Sequence, residues 1–222
     1  NVICINFNRV IHLKTFTFNP FQENTYVVYD DEGEGIVIDP GCYTYEERQE
    51  FKQFIAEKHI HLNAVLNTHA HIDHVLGIDF IKNEYKIPLH LHPKEEPVLL
   101  DSKNRAQVYG FPHYQPADVD HWFTDNEIVS IGAMQIKVLF VPGHAPGHVA
   151  FYFEKEKLVI GGDVLFRRSV GRTDFPLCNH EDLMKSIKTQ LYVLPDEVSV
   201  YPGHGGKTTI GEEKVSNPYV KA

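Results

Sequence analysis

Between residues 10 and 18 apolar and polar side chains alternate with a period of two, the pattern of a strand with one buried face. Segments 25–29 and 35–38 continue it, joined across the turn-forming run Asp30-Asp31-Glu32-Gly33. The period then lengthens: over 45–58, Phe51, Phe54 and Ile55 fall at helical spacing. Segment 63–67 returns to strand, with Ala64-Val65-Leu66 as its buried run. Around Gly77, the residues Val75, Leu76, Ile78, Phe80 and Ile81 resume helix-like spacing. Residues 89–92 read as extended, and Pro93 opens a helix reaching about Val108. Segments 127–130, 134–141, 149–153 and 157–160 read as consecutive strands. They are followed by a helix over 181–191, a strand over 198–201 and a short helix over 210–215. Strands in runs, with helices between and after them, predict a layered α/β sandwich rather than a doubly wound sheet. No repeat, low-complexity stretch or linker interrupts residues 1–222, so one domain is expected.

Composition narrows the class without naming it. A chain of 222 residues with 42% hydrophobic and 23% charged residues can bury one sizeable core. A net charge of −9 argues against a nucleic-acid backbone or an anionic membrane as partner. No apolar run approaches the roughly 18 residues of a membrane-spanning helix. Residues 1–9 lack the charged region, apolar stretch and cleavage site of a signal peptide. Cys4, Cys42 and Cys178 are odd in number and scattered, which fits a reducing cytoplasm better than a disulfide framework. None has a base beside it in sequence, so no catalytic thiol is expected.

Residues 68–74, Thr-His-Ala-His-Ile-Asp-His, carry the chemistry. His69, His71 and His74 offer imidazole nitrogens and Asp73 a carboxylate, the donors that zinc and similar cations take. The cluster sits between a strand and a helix. His69 and His71, two apart in extended chain, should point the same way. Asp73 is placed to cap the following helix, aiming it and His74 at the same cavity from another side. Two pairs projecting differently suit two adjacent metals, hence catalysis rather than a closed structural site. Three further residues repeat the setting: His144 in Val-Pro-Gly-His-Ala-Pro-Gly-His, Asp163 in Gly-Gly-Asp and His204 in Tyr-Pro-Gly-His-Gly. Each follows a strand end beside a glycine, where the backbone turns sharply. Any one alone also matches an ordinary turn histidine or acid. Together, seven ligands in four loops make two metal sites sharing one acid. The expected cofactor is two divalent ions, zinc first, with iron or manganese accepted by the same ligands. His90 and His92 are expected to be partly exposed on a strand. His148 is expected in a turn or behind the ligands. His113, His121 and the aromatic residues of 111–122 either wall a cleft or simply pack.

The set Thr-His-Ala-His-Ile-Asp-His, Pro-Gly-His, Gly-Asp and Pro-Gly-His resembles the metallo-β-lactamase superfamily. Gly-His-Ala-Pro-Gly-His, Gly-Asp-Val-Leu-Phe and Ser-Val-Gly-Arg-Thr-Asp-Phe-Pro are similar to the small glyoxalase II-like hydrolases. The resemblance implies a four-layer αββα sandwich with metals at one edge. It implies that His69, His71 and His144 hold one metal, that Asp73, His74 and His204 hold the other, and that Asp163 bridges them. It also implies that Asp39, in Val-Ile-Asp-Pro-Gly, orients ligands from behind. Hydroxide supplied by the two metals would then attack a thioester such as an S-2-hydroxyacylglutathione or a related acyl-thiol, with Asp73 and Asp163 as catalytic carboxylates. A thiolate leaves with little protonation, whereas an amide needs an acid, so β-lactam cleavage is expected to be slow or absent.

Two departures bear on substrate. Full glyoxalase II enzymes carry a helical C-terminal domain, whereas 18 residues follow His204 here. No tyrosine lies between Asp163 and His180; the loop offers Arg167, Arg168 and Arg172. Arg172 either binds a substrate carboxylate or pairs with Asp174 or another acid. A persulfide dioxygenase of the same superfamily shares the Gly-Arg-Thr-Asp-Phe stretch. It would bind one iron through residues matching His69, His144 and Asp163.

Overall fold

The computed structural model describes residues 9–221, so Cys4 and most of the segment read for a signal peptide lie outside them. The first sheet starts as an antiparallel meander of β1 (Ile11–Phe18), β2 (Glu23–Asp30) and β3 (Glu34–Ile38). Helix α1 (Tyr45–Glu57) then crosses over to β4 (His61–Leu66), parallel to β3. Thr44 starts α1 with a capping box, accepting from the Glu47 N–H while the Glu47 carboxylate accepts from its own. Short helices α2 (Ile72–Val75) and α3 (Ile78–Tyr85) lead to β5 (Leu89–Leu91). A 3₁₀ turn at Pro93–Glu95 and α4 (Glu96–Val108) lead to β6 (His121–Trp122), giving the order β1-β2-β3-β4-β5-β6.

The second sheet is built from β7 (Ile128–Ile131), β8 (Met134–Phe140), β9 (Val149–Phe153) and β10 (Leu158–Gly162). A small hairpin, β11 (Leu165–Phe166) and β12 (Ser169–Val170), precedes α5 (His180–Ser186). Strand β13 (Ser199–Pro202) then returns parallel to β10. β14 (Thr208–Thr209) and α6 (Ile210–Ser216) follow, and the sheet order is β14-β13-β10-β9-β8-β7.

Three apolar clusters fill the three gaps of a four-layer sandwich, which is the predicted αββα class. Strand parity assigns each residue. Val27 and Val37 face α1, α3 and α4, whereas Val28, Ile36 and Ile38 face Ile136, Val138 and Phe151 of the other sheet. Leu139, Ala150 and Val159 on the far face meet Leu183 of α5 and Ile210 of α6. Each such fully buried valine, leucine, isoleucine or phenylalanine side chain contributes about 1.5–3 kcal/mol. No helix among the described residues is long and apolar enough to cross a membrane.

The structure departs from the sequence reading in places. The helix predicted around Gly77 is two helices, because the Gly77 N–H bonds to Pro40 O at 2.8 Å instead of continuing the first. Strands β6, β11, β12 and β14 were not predicted; at two residues each they are too short to carry a period. His92 is buried rather than partly exposed, stacked on Phe140 with ring centroids 4.7 Å apart. Phe111 and Tyr114 pack into the core, against Tyr43 and Ser102 respectively, so the 111–122 aromatics do not line a cleft.

Candidate metal centre

The segments after β4, β8, β10 and β13 meet at one edge of the sandwich and bring the seven predicted ligands together. His69, His71 and His144 form one group, and Asp73, His74 and His204 a second; within each, the donor atoms lie within 4.8 Å of one another. Asp163 stands between them. Its Oδ2 lies 3.5 Å from His144 Nε2 and 3.5 Å from His204 Nε2, while Oδ1 lies 3.5 Å from His74 Nε2. Gly203 makes this approach feasible, since a Cβ there would fall 2.1 Å from Asp163 Oδ1.

The local backbone differs from expectation at the first cluster. Residues 67–71 are irregular rather than strand, yet the His69 and His71 rings still meet edge to face at 4.8 Å. Asp73 does not cap the helix. His71 holds the N-cap position, and Asp73 lies inside the first turn of α2, where the helix dipole favours a carboxylate.

A histidine presents a lone pair to a cation only when its other nitrogen holds the proton elsewhere. Four of the five rings satisfy this. His144 Nδ1 donates to Arg172 O at 2.8 Å, and His204 Nδ1 donates to Phe21 O at 3.1 Å. His74 Nδ1 donates to Asp39 Oδ2 at 3.2 Å. His69 Nδ1 donates to Thr68 Oγ1 at 2.9 Å, and that hydroxyl donates to Asp39 Oδ2 at 2.6 Å. Asp39 therefore orients one ring from each group. It does so from a left-handed backbone, φ +49°, costing on the order of 1 kcal/mol and offset by the Thr68 N–H at 2.7 Å. His71 is the exception and turns Nδ1 inward, 2.8 Å from His144 Nε2.

Metal fits this donor set. His69 Nε2, His74 Nε2 and Asp163 Oδ1 are buried without a hydrogen-bond partner. Each such orphan costs about 1–3 kcal/mol unless something charged satisfies it. Burial drives His69 well below its ordinary pKa and His71 down to about 3. Burial would also lower His74, but the carboxylates of Asp73 and Asp163 outweigh it and hold it well above. Burial would raise Asp163, but His74 outweighs it and keeps the carboxylate ionised. Neutral imidazoles and ionised carboxylates are the forms that bind cations, so His69, His71 and Asp163 are ready to bind and His74 gives up its proton on binding.

Of three supports, sequence reasoning missed Asn24 and Glu95, while His148 lies behind the ligands as expected. Asn24 Nδ2 donates to Pro202 O at 3.1 Å and Gly205 O at 2.8 Å, pinning the His204 loop to β2. His148 Nε2 accepts from the Asp163 N–H at 3.0 Å, and its ring stacks on His69 at 4.6 Å. Buried Glu95 accepts from the Ala70 and Gly147 N–H groups at 2.8 and 2.6 Å. An asparagine inside an apolar strand is a usable signal; a glutamate in Lys-Glu-Glu-Pro is not.

A cleft of about 500 Å³ opens above the site. His71, Asp73, His144, Asp163 and His204 reach it, and Phe21, Tyr109, Phe166 and Phe175 wall it. Arg172 lies at its lip, held by both Asp174 oxygens at 2.6 and 2.7 Å and seated 4.0 Å from the Phe175 ring centre. An open, solvent-reached donor set is the arrangement of a catalytic rather than a structural metal site.

A family model described as the metallo-beta-lactamase superfamily matches residues 18–204. The chain belongs to that superfamily. Within this metallo-hydrolase superfamily it is 35% identical over 214 residues to the hydroxyacylglutathione hydrolase GloC of Haemophilus influenzae, covering 96% of this chain and 99% of that one. Among solved structures, the BLEG-1 B3 metallo-beta-lactamase superposes with a TM-score of 0.87 at 34% identity, covering 95% of this chain and all of that one. TTHA1623 in a di-iron-bound form gives 0.83 at 35% identity, over 93% of this chain and all of that one. ETHE1 from Myxococcus xanthus gives 0.77 at 25% identity, over 93% of this chain and 83% of that one.

Proposed function

We propose that this protein hydrolyses a thioester, an S-2-hydroxyacylglutathione or a related acyl-thiol, with two divalent cations. His69, His71 and His144 hold one, Asp73, His74 and His204 the other, and Asp163 reaches both. The nitrogen and oxygen donors suit zinc, and iron or manganese take the same set. Bound there, the cations supply hydroxide at neutral pH and polarise a carbonyl.

The chain's own residues do the rest. Asp39 keeps the Nε2 atoms of His69 and His74 aimed inward through the two hydrogen bonds to its Oδ2. Asp73 and Asp163 face the cleft as ionised carboxylates and would orient the water that gives up its proton to solvent to become hydroxide. Phe21, Tyr109 and Phe175 limit the water that reaches the acyl carbon. Arg172 receives a carboxylate of the thiol arm in exchange for its hold on Asp174.

The cleft floor carries this reading: its ionisable groups, His71, Asp73, His144, Asp163 and His204, all belong to the two triplets and the acid between them, with no further acid beside them. Asp101, the remaining carboxyl on the wall, is kept ionised by Asn104 and Arg105. A thiolate, with a free pKa of about 8.5, needs no acid to leave, whereas an amine does. The identity with GloC supports the same reading.

Hydrolysis of S-lactoylglutathione tests it, with turnover expected at modest affinity and little or no β-lactam cleavage. Lactam turnover rivalling thioester turnover, the behaviour that the name of BLEG-1 describes for that protein, would contradict it. Arg172→Ala should raise KM for a glutathione thioester by about tenfold, the value of one charge-assisted contact. We place the reaction in the cytoplasm, where reduced thiols such as Cys42 and Cys178 persist. The −9 charge suits a small-molecule substrate rather than nucleic acid or a membrane.

One observation favours a second reading. His69, His144 and Asp163 form a two-histidine, one-carboxylate subset of the kind that binds a single iron in oxygenases, and ETHE1 is similar to this chain. Metal content separates the two: two metals per chain for the hydrolase, one iron with oxygen uptake on a glutathione persulfide for the dioxygenase.

A further inference from the structure

Glu95 is fully buried, yet no cationic side chain pairs with it among the described residues. Its carboxylate does not cap the helix it precedes. It spends both oxygens on backbone N–H groups of two distant loops. Oε2 accepts from Ala70, the residue between His69 and His71, at 2.8 Å. Oε1 accepts from Gly147, in the loop that carries His144, at 2.6 Å. A Cβ on Gly147 would stand 2.8 Å from Glu95 N and 3.0 Å from Glu95 Cγ, so this glycine is what lets the two segments close on each other.

We propose that Glu95 is a positioning residue: it clamps the two loops that carry His69, His71 and His144 and thereby sets the spacing of that triplet. The chemistry is specific to a carboxylate of this length. Two N–H donors need two acceptors on one rigid group. Glutamine offers one acceptor and turns an NH₂ against the other donor, and aspartate is one methylene too short to reach both loops. Metal–ligand distances tolerate only about 0.2 Å, so a loop shift too small to disturb the core is large at the site. The second triplet has a further anchor of its own, Asn24, which holds the His204 loop, while Asn67 Nδ2 donates to both His74 O at 2.9 Å and His69 O at 3.2 Å. Two of the three members of the first triplet flank Ala70 and the third shares the Gly147 loop, so loss of the clamp falls more heavily on that triplet.

This rests on the reading that the triplets bind metal, so the test measures metal binding and not turnover. Metal-free wild type, Glu95→Gln, Glu95→Asp, His71→Ala and Glu213→Gln are each titrated with zinc against a chromophoric chelator, and with cobalt for its visible spectrum. Glu213 is the control, a carboxylate equally buried but bonded to Arg168 N, Thr208 and Asn217 in another part of the fold. Both glutamine variants should lose thermal stability. Only Glu95→Gln should weaken one of the two stepwise zinc affinities, by about 10–100-fold. That step should be the one His71→Ala abolishes, with a changed cobalt spectrum. Glu95→Asp should show the same split with a smaller loss, and decides the matter if Glu95→Gln does not fold. Equal weakening of both steps, or of neither, overturns the clamp. A wild type that binds a single metal sinks the two-metal reading. The clamp then stands or falls on whether Glu95→Gln weakens that one metal.

Discussion

His69 and His74 lie five residues apart in the chain, with ring centres 4.2 Å apart and neither exposed to solvent. Their protonation behaviour is nevertheless opposite. His69, among other imidazoles, is pushed well below its ordinary value by burial. His74, beside Asp73 and Asp163, is pulled well above despite the same burial. The difference teaches that burial alone does not set the charge at this edge of the sandwich: it prevails at His69, and at His74 two adjacent carboxylates outweigh it. One triplet is a neutral imidazole set ready for a cation. The other must release a proton from His74 before it can bind one.

Removing the acid that joins the triplets should do most to this contrast. Asp163→Ala takes an oxygen from both groups, so metal and thioester turnover should vanish together; surviving activity would refute the shared-acid arrangement. Next in size is Asp39→Asn, because Asp39 orients His69 through Thr68 and His74 directly. About 10–100-fold weaker binding is expected at both zinc steps, in contrast to the one-sided loss at Glu95. A loss confined to one step would show that Asp39 serves one triplet only.

Metal removal probes the same region through stability. With metal at a hundred times Kd, binding is worth about 2.7 kcal/mol per site, and chelating both should lower Tm by roughly 10–20 °C for a chain of this size. An unchanged Tm would mean the triplets are empty in the native protein.

The smallest effect concerns pH. Burial raises the Glu95 carboxyl from its ordinary 4.5 to about 7, with the Gly147 and Ala70 N–H groups pulling it back. Between those values the unfolded chain has released a proton that the folded chain keeps, so this group's contribution to stability falls as pH rises through the window. Glutamine at this position has no such slope. The stability gap between metal-free wild type and Glu95→Gln should narrow by about 2 kcal/mol between pH 5 and 8, read from urea unfolding. A constant gap would mean that Glu95 is ionised throughout.

The same contrast marks how far the sequence could be read. The seven donors are legible because four of them crowd into residues 69–74 and the other three each stand beside a glycine, all just after strands whose period is visible. The longer strands and helices are legible for the same reason. Supports that act through the backbone are not. Glu95 is invisible because its partners are N–H groups of Ala70 and Gly147, which any residue but proline would offer. Asp73 looked like a cap because acids favour that position, but tertiary packing starts α2 two residues earlier and leaves His71 there. His92 looked half exposed from its alternation, and became buried when Phe140 of the other sheet closed over it. Contacts between layers decide such residues, and no local period encodes them.

Metal content and substrate, measured together on protein purified from its native source, test the central claim most directly. Two divalent metals per chain, with S-lactoylglutathione hydrolysed and both lost in Asp163→Ala, is the predicted result. One iron per chain, with oxygen consumed on a glutathione persulfide and no thioester turnover, would contradict it.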